Sequence, residues 1–328
     1  MTFSGTTAFV TGATGFLGGV VARKLADAGA QVRALARSPE KAASLRDVPG
    51  VEVVAGDVTR PEDMRLWVEG CDYVFHAAAA FGSWQQQQAV NVEGTRNIMY
   101  AATSGQRVVF VSSIAVYGYS RTGTITEDDG PSPTAHDAYS VTKAEAEQVV
   151  QDIASENNIS YAIIRPGMIY GPHGTQWTDT MFRLARRRPV FWLGNGSGSA
   201  FPIYMDDVAD LMLLLATHPA AHNEVFNAVH PTPVTWRDFL LGYARLAGHQ
   251  SWLSIPPKPV VALAKLAAAV VPTGNRLKAG PEAAGSLLNQ RRIDMSKAQN
   301  RLHWQPVVDL DTGLEKCVPY LKQKGLLR

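Results

Sequence analysis

The stretch TAFVTGATGFLGG, positions 7–19, constrains the fold more than any other part of the chain. A short apolar run leads without a linker into glycines 12, 15 and 18, and a helix-length segment, FLGGVVARKLADAG, follows and closes on Gly29 as a C-cap. Gly12 suits the tight turn, Gly15 a close backbone approach to an anion such as pyrophosphate, and Gly18 a helix packed tightly on its strand. The remaining loop residues, Thr14, Phe16 and Leu17, lie where a helix N-terminus offers unpaired N–H groups to that anion. Glycines also fill ordinary turns, so the loop gains meaning only if strands and helices alternate around it.

They do. TAFVTG, QVRALA, VEVVAG, DYVFHAA, RVVFVSS and YAIIRP are short, continuously apolar and bounded by glycine, proline or polar residues, with helix-length segments between them. Strands buried on both faces and separated by helices predict an α/β protein with a doubly wound parallel sheet. After Arg165 proline, glycine and tryptophan become frequent and the alternation loses regularity, which predicts a smaller substrate lobe. IYMDDVADLMLLLAT and EVFNA look as if they rejoin the sheet. The expected division is therefore 1–166 plus about 203–228 for the dinucleotide-binding domain, with about 167–202 and 229–328 forming an interleaved lobe.

With 328 residues, 46% hydrophobic and 18% charged, the chain has the composition of a globular protein, and its formal charge of +2 offers no argument for nucleic acid. The runs Arg186–Arg188 and Arg291-Arg292 read as solvated helix faces. Cys71 and Cys317 form no disulfide framework, and Pro219 interrupts the His218/His222 pair, so no metal site is expected and a reducing, cytoplasmic compartment is. No leader pattern precedes the first strand, and PVVALAKLAAAVVP, interrupted by Lys265, is too short to span a bilayer.

YSVTK, at 139–143, places Tyr139 and Lys143 on one helix face. At the end of the second strand, ALARSPEK presents Arg37 and Lys41 where NAD binding wants an acid for the ribose hydroxyls and a 2′-phosphate wants a cation. This favours NADP, with NAD possible.

Taken with Asp57-Val58, HAAA at 76–79, NVEGTRN at 91–97, VSSIAVYG at 111–118, RPGMIYGP at 165–172 and the DDVA of 206–209, these motifs resemble the extended short-chain dehydrogenase/reductases, the group that includes nucleotide-sugar epimerases and dehydratases. The resemblance implies a Rossmann-type fold. It further implies Tyr139 as proton donor or acceptor, Lys143 as the ribose-binding residue that lowers the tyrosine pKa, and Ser113 as the hydroxyl that orients a carbonyl. Asp57 and Val58 would flank adenine, Ala77, Ala78 and Ala79 would line the cofactor, and the backbone of Pro166, Gly167, Met168 and Ile169 would meet the carboxamide.

Departures from the family pattern narrow the chemistry. Ile114 and Ala115 stand where dehydratases carry an acidic pair, and Ala200 stands where many nucleotide-sugar enzymes place an arginine on the diphosphate. Phe81, Trp84, Met168, Tyr170 and Trp177 form an apolar, aromatic set about the expected substrate position. The general character is that of hydroxysteroid dehydrogenase and dihydroflavonol reductase-like members, and the leading reading is carbonyl–alcohol interconversion on a small, rather apolar substrate. A nucleotide-sugar epimerase with retained NAD and a non-catalytic cofactor-sensing protein are the alternatives. Helices around NVEGTRNIMYAAT and YSVTKAEAEQVVQDI resemble those that pair in the family's homodimers.

Overall fold

The computed structural model describes residues 2–271 and 276–327. Seven strands form the central sheet: β1 (Thr7–Thr11), β2 (Gln31–Ala36), β3 (Val51–Ala55), β4 (Tyr73–His76), β5 (Arg107–Val111), β6 (Ser160–Pro166) and β7 (Glu224–Ala228). Their order is β7-β6-β5-β4-β1-β2-β3, parallel throughout. The chain winds outward from β1 to β3 and then returns to start again at β4. The reversal leaves a crevice beyond the carboxyl ends of β1 and β4, where such sheets take ligands.

Successive side chains of β1 serve opposite layers. Ala8 and Val10 pack into one core with α1 (Phe16–Asp27) and α5 (Met205–Thr217), whereas Phe9 faces the other. That second layer holds α2 (Pro61–Val68), α3 (Gly94–Ala101) and α4 (Ala138–Asn157). Two-sided burial is why these strands read as continuous apolar runs rather than as alternating ones. Helix α1 stops as its sequence indicates: Gly29, at φ +94°, donates its N–H to the Ala26 carbonyl at 2.9 Å, and Ala30 donates to Leu25 at 3.0 Å.

A separate apolar cluster, including Tyr170, Phe182, Trp236, Phe239, Tyr243 and Tyr320, forms the core of the second lobe. Small ribbons frame it: Met168–Tyr170 with Pro202–Tyr204, and Val190–Leu193 with Trp252–Ile255. Arg291–Ile293 pairs with Gly123–Ile125 and stitches the late chain to the sheet domain. Arg291 is thus a half-buried strand residue and not the solvated helical one the sequence led us to expect. Among the described residues no helix is long and apolar enough to cross a membrane.

Candidate active site

The glycine loop is shaped by close contact with the strand beside it. Gly12 has φ +67°, and a Cβ there would lie 2.8 Å from the backbone of Ala77 and Ala78. A Cβ on Gly18 would overlap the Gly12 carbonyl, and one on Gly15 would come to 3.0 Å from the same oxygen. The N-terminus of α1 has no side-chain cap and no acidic residue in its first turn. Its leading N–H groups and the positive end of its dipole therefore face an open, glycine-lined cradle that fits a dinucleotide's diphosphate. Thr14 and Gly15 are exposed and Phe16 lies against Gly174, but the Leu17 side chain turns into the core, so only its backbone serves the loop.

Pairing of Ala36 with Ala55 sets Arg37, exposed at the end of β2, beside the Gly56-Asp57 turn after β3. One Asp57 carboxylate oxygen accepts both the N–H and the hydroxyl of Thr59 at 2.9 Å, and its backbone N–H donates to Asp63 at 2.8 Å. Val58 is buried, and its carbonyl accepts from Asn97 at 2.9 Å, tying this turn to α3. Lys41 lies in the turn Pro39–Ala42, with its side chain outside the described ones.

A chain of hydrogen bonds fixes the end of β4. Ala78 N–H donates to Thr11 Oγ1 at 3.2 Å, Thr11 pairs with His76 Nδ1 at 2.7 Å, His76 Nε2 pairs with Thr95 Oγ1 at 2.9 Å, and Thr95 donates to the Asn91 carbonyl at 2.6 Å. The donors run in one direction only if His76 carries its proton on Nε2. Burial favours that neutral ring and pushes its pKa down to about 3, with the Lys143 charge adding to the effect. Ala77, Ala78 and Ala79 are left half-buried along the crevice. Asn91, on the π-helical segment Gln88–Glu93, accepts from Ala80 N–H at 2.8 Å and donates to Thr142 at 3.0 Å. It clamps this strand end to the helix that carries YSVTK. Its motif, NVEGTRN, was visible in the sequence, but the clamp was not, because its partners are 11 and 51 residues away.

Asp137 caps α4, accepting from Ser140 N–H at 3.2 Å, and this start sets the phase that turns Tyr139 and Lys143 toward the carboxyl end of β5. An aspartate just ahead of a helical run is a legible N-cap signal that our sequence reading did not use. Phe81 stacks on the Tyr139 ring at 4.9 Å and 26°, and the Ser113 side chain lies near enough to act on the phenol. Burial pushes the phenol up to about 12; Ser113 acts to lower it and the Asp137 charge to raise it. Lys143, fully buried, donates to the Val111 carbonyl at 2.7 Å and sits 4.8 Å from the Phe110 ring centroid. Burial pushes its ammonium down to about 8, opposed by Glu147. The family pattern implies a phenol lowered by Lys143; in the protein alone that ammonium is turned to Val111, and burial leaves the phenol high.

One turn further on, Glu147 holds Arg165 in a bidentate, fully buried pair at 2.9 and 2.7 Å. Arg165 also donates to Tyr117 at 2.8 Å, and Tyr117 donates to Asn227 on β7 at 2.7 Å. This network locks α4 onto β6 and β7. Ser112, next to Ser113, is buried with its hydroxyl unpartnered, whereas Ser113 Oγ accepts the Ala115 N–H at 3.1 Å.

Several residues fall elsewhere than expected. The N–H groups of Gly167 and Met168 are spent on Ala228 and Phe201, at 2.9 and 2.7 Å, and Pro166 has none. These three therefore offer a carboxamide no free backbone donor; Ile169 packs against the sheet core. Tyr170, 1% exposed, packs edge-on against Tyr204 and Phe239, while Met168 and Trp177 join the same second-lobe cluster. Expected as substrate contacts, Tyr170 and Met168 are core residues and Trp177 is a partly buried one packed against them, because the lobe needs its own apolar interior. Phe81 and Trp84 remain at the surface, 64% and 38% exposed, with Phe81 on Tyr139.

A parallel sheet with this strand order, an uncapped glycine cradle at its switch point and a Ser-Tyr-Lys set at the neighbouring strand end define a dinucleotide-binding oxidoreductase-type site. Residues 8–228 match the NAD dependent epimerase/dehydratase family. The chain belongs to that family and, within it, to the extended short-chain dehydrogenase/reductases, which are NAD-dependent dehydrogenases, reductases and epimerases.

Among curated relatives, the chain is 32% identical to 4-hydroxy-2-methyl-3-oxo-4-farnesyl-3,4-dihydroquinoline-1-oxide ketoreductase of Stigmatella aurantiaca, over 71% of this chain and 70% of that one. It is 28% identical to 3beta-hydroxysteroid-dehydrogenase/decarboxylase isoform 1 of Arabidopsis thaliana, over 82% of this chain and 66% of the relative's length. Among solved structures, the epimerase Mth375 of Methanothermobacter thermautotrophicus superposes with a TM-score of 0.80 at 22% identity, covering 98% of this chain and 94% of that one. At that identity the likeness speaks for the fold.

Proposed function

We propose that this protein is an NAD(P)-dependent oxidoreductase that interconverts a carbonyl and an alcohol on a small, rather apolar substrate. The observation that carries the reading is the stacking of the exposed Phe81 ring on Tyr139, on the same helix face as Lys143, at the strand end next to the glycine cradle. When bound, the nicotinamide supplies or accepts the hydride. The chain's own residues then manage the proton and the alignment. Ser113 orients the substrate oxygen by donating its hydroxyl to it, and Tyr139 gives that oxygen a proton as negative charge builds on it. In the reverse direction the phenol must act as a base, and at about 12 it is a poor one near neutral pH. A positive charge brought by the oxidised cofactor would add to the lowering influence of Ser113, which by itself does not offset burial. Lys143, which donates to the Val111 carbonyl in the protein alone, would bond the ribose when the cofactor is present.

The exposed aromatic pair Phe81 and Trp84 supports an apolar substrate, as do the names of the two relatives, one of a farnesylated quinoline ketoreductase and one of a hydroxysteroid dehydrogenase. Arg37 supports NADP: it is exposed beside the Asp57 turn, and one oxygen of that carboxylate is already occupied by Thr59. We also propose a homodimer through α3 and α4, where Tyr100 is 59% exposed.

The deciding experiment is a turnover screen of lipophilic ketones, aldehydes and alcohols with both cofactors. Tyr139→Phe is expected to lose roughly 10²–10⁴-fold in turnover, the range for a general acid. Full activity in that variant would end the mechanism. Arg37→Glu is expected to reverse the cofactor preference by weakening NADP alone; equal weakening of both cofactors would count against the assignment.

A further inference from the structure

The second lobe carries an apolar surface that the site does not use. Ten of the 14 residues of helix Pro257–Val270 are valine, leucine or alanine, yet Ala268 is the single buried residue among its described ones. Leu263, Leu266 and Val270 are 67%, 63% and 78% exposed, and their three- and four-residue spacing makes one stripe. The chain enters this helix from strand Trp252–Ile255, where Leu253, 49% exposed, stands in register with Phe191, 43% exposed, and Ile255 is 37% exposed. A helix apolar on its outward face belongs against another apolar medium.

Charge indicates which medium. From Asp238 to Glu282 the chain contains no carboxylate between those two residues. Lys258 and Lys265, seven apart and therefore on one helix flank, stand to one side of the stripe, from which their long stems can reach a charged interface. Three exposed arginines, 186–188, immediately precede the Phe191 strand, and Arg188 is held to this lobe by the Ala247 and Gly248 carbonyls at 3.1 Å each. In a two-fold pairing of identical copies these cations would face each other without counter-ions. Anionic headgroups would pair with them. At 14 residues the helix is too short to cross the hydrocarbon layer and has the character of one that lies within the interface.

We propose that this face docks the protein on an anionic lipid bilayer, with the helix Pro257–Val270 and the adjoining ribbon buried in the headgroup region. The inference does not depend on the redox reading, and its test reads binding. Full-length protein is floated with vesicles of phosphatidylglycerol or of phosphatidylcholine. The expected result is roughly tenfold more protein on the anionic vesicles, reduced by added salt. Leu263→Glu/Leu266→Glu should abolish flotation while leaving cofactor turnover on a water-soluble ketone intact, and Lys258→Gln/Lys265→Gln should weaken it severalfold without disturbing the apolar stripe. Absence of flotation on anionic vesicles, or equal flotation on both lipids, would overturn the proposal. So would sedimentation showing that the leucine variant converts a dimer to a monomer, since the face would then belong to a second copy.

Discussion

Tyr139 and Lys143 share one helix face, yet their surroundings differ in kind. The phenol is half-exposed and held high by burial, whereas the ammonium is enclosed and held low. A lysine whose pKa falls from 10.5 to about 8 on folding makes the unfolded chain the better proton binder between those values. Stability should therefore rise with pH across that window by roughly 3 kcal/mol from this group, and below pH 8 the penalty is fully present. Lys143→Met is expected to be at least as stable as the wild type at pH 7 while losing cofactor affinity. Denaturant melts at pH 7 and 10 check this: the wild type should gain on the variant as pH rises, and a constant difference would refute it. The type and spacing of both residues were legible in YSVTK, but the direction in which each is pushed was not. That depends on burial, the largest influence on both groups, which comes from packing against segments distant in the chain, such as Phe110 and Val111 beside Lys143.

Among the elements, the β1–α1 loop was the most legible, because its constraints are local. Gly12 needs a positive φ, and Gly18 abuts a carbonyl only six residues behind it. Gly18→Ala is expected to cost about 1–3 kcal/mol through overpacking. The same change should weaken dinucleotide binding, as read by cofactor fluorescence titration; unaltered affinity would show that the loop is not the cradle proposed. The α4–β6 contact is the opposite case. Glu147 looks like any helix-surface acid in the sequence, and Arg165 like a strand-end cation, but together they form a buried bidentate pair. Glu147→Ala should destabilise the protein by about 3–5 kcal/mol, since it leaves Arg165 buried without its counter-ion. Thermal melts would read a loss of under 1 kcal/mol as evidence that the arginine finds water instead.

At the scale of the whole molecule, the sheet domain closes only when β7 returns from beyond the second lobe, and the buried Tyr117–Asn227 bond records that closure. With α3 and α4 on the outer face of the sheet, light scattering at micromolar concentration is expected to give twice the 35.5 kDa chain mass, and Tyr100→Glu to lower it. A monomeric mass for the wild type would remove the dimer. The sequence by itself determined the alternation of strands and helices, the glycine turn and the shared helix face of Tyr139 and Lys143, because apolar period, glycine conformation and helical spacing act over a few residues. Only the tertiary structure decided which aromatics line the site and which fill the second lobe. Tyr170 and Phe81 are chemically alike as letters, and their fates diverge because one meets Tyr204 and Phe239 in a closed core while the other lies on Tyr139 facing solvent. Burial is a property of long-range packing, and no local pattern carries it.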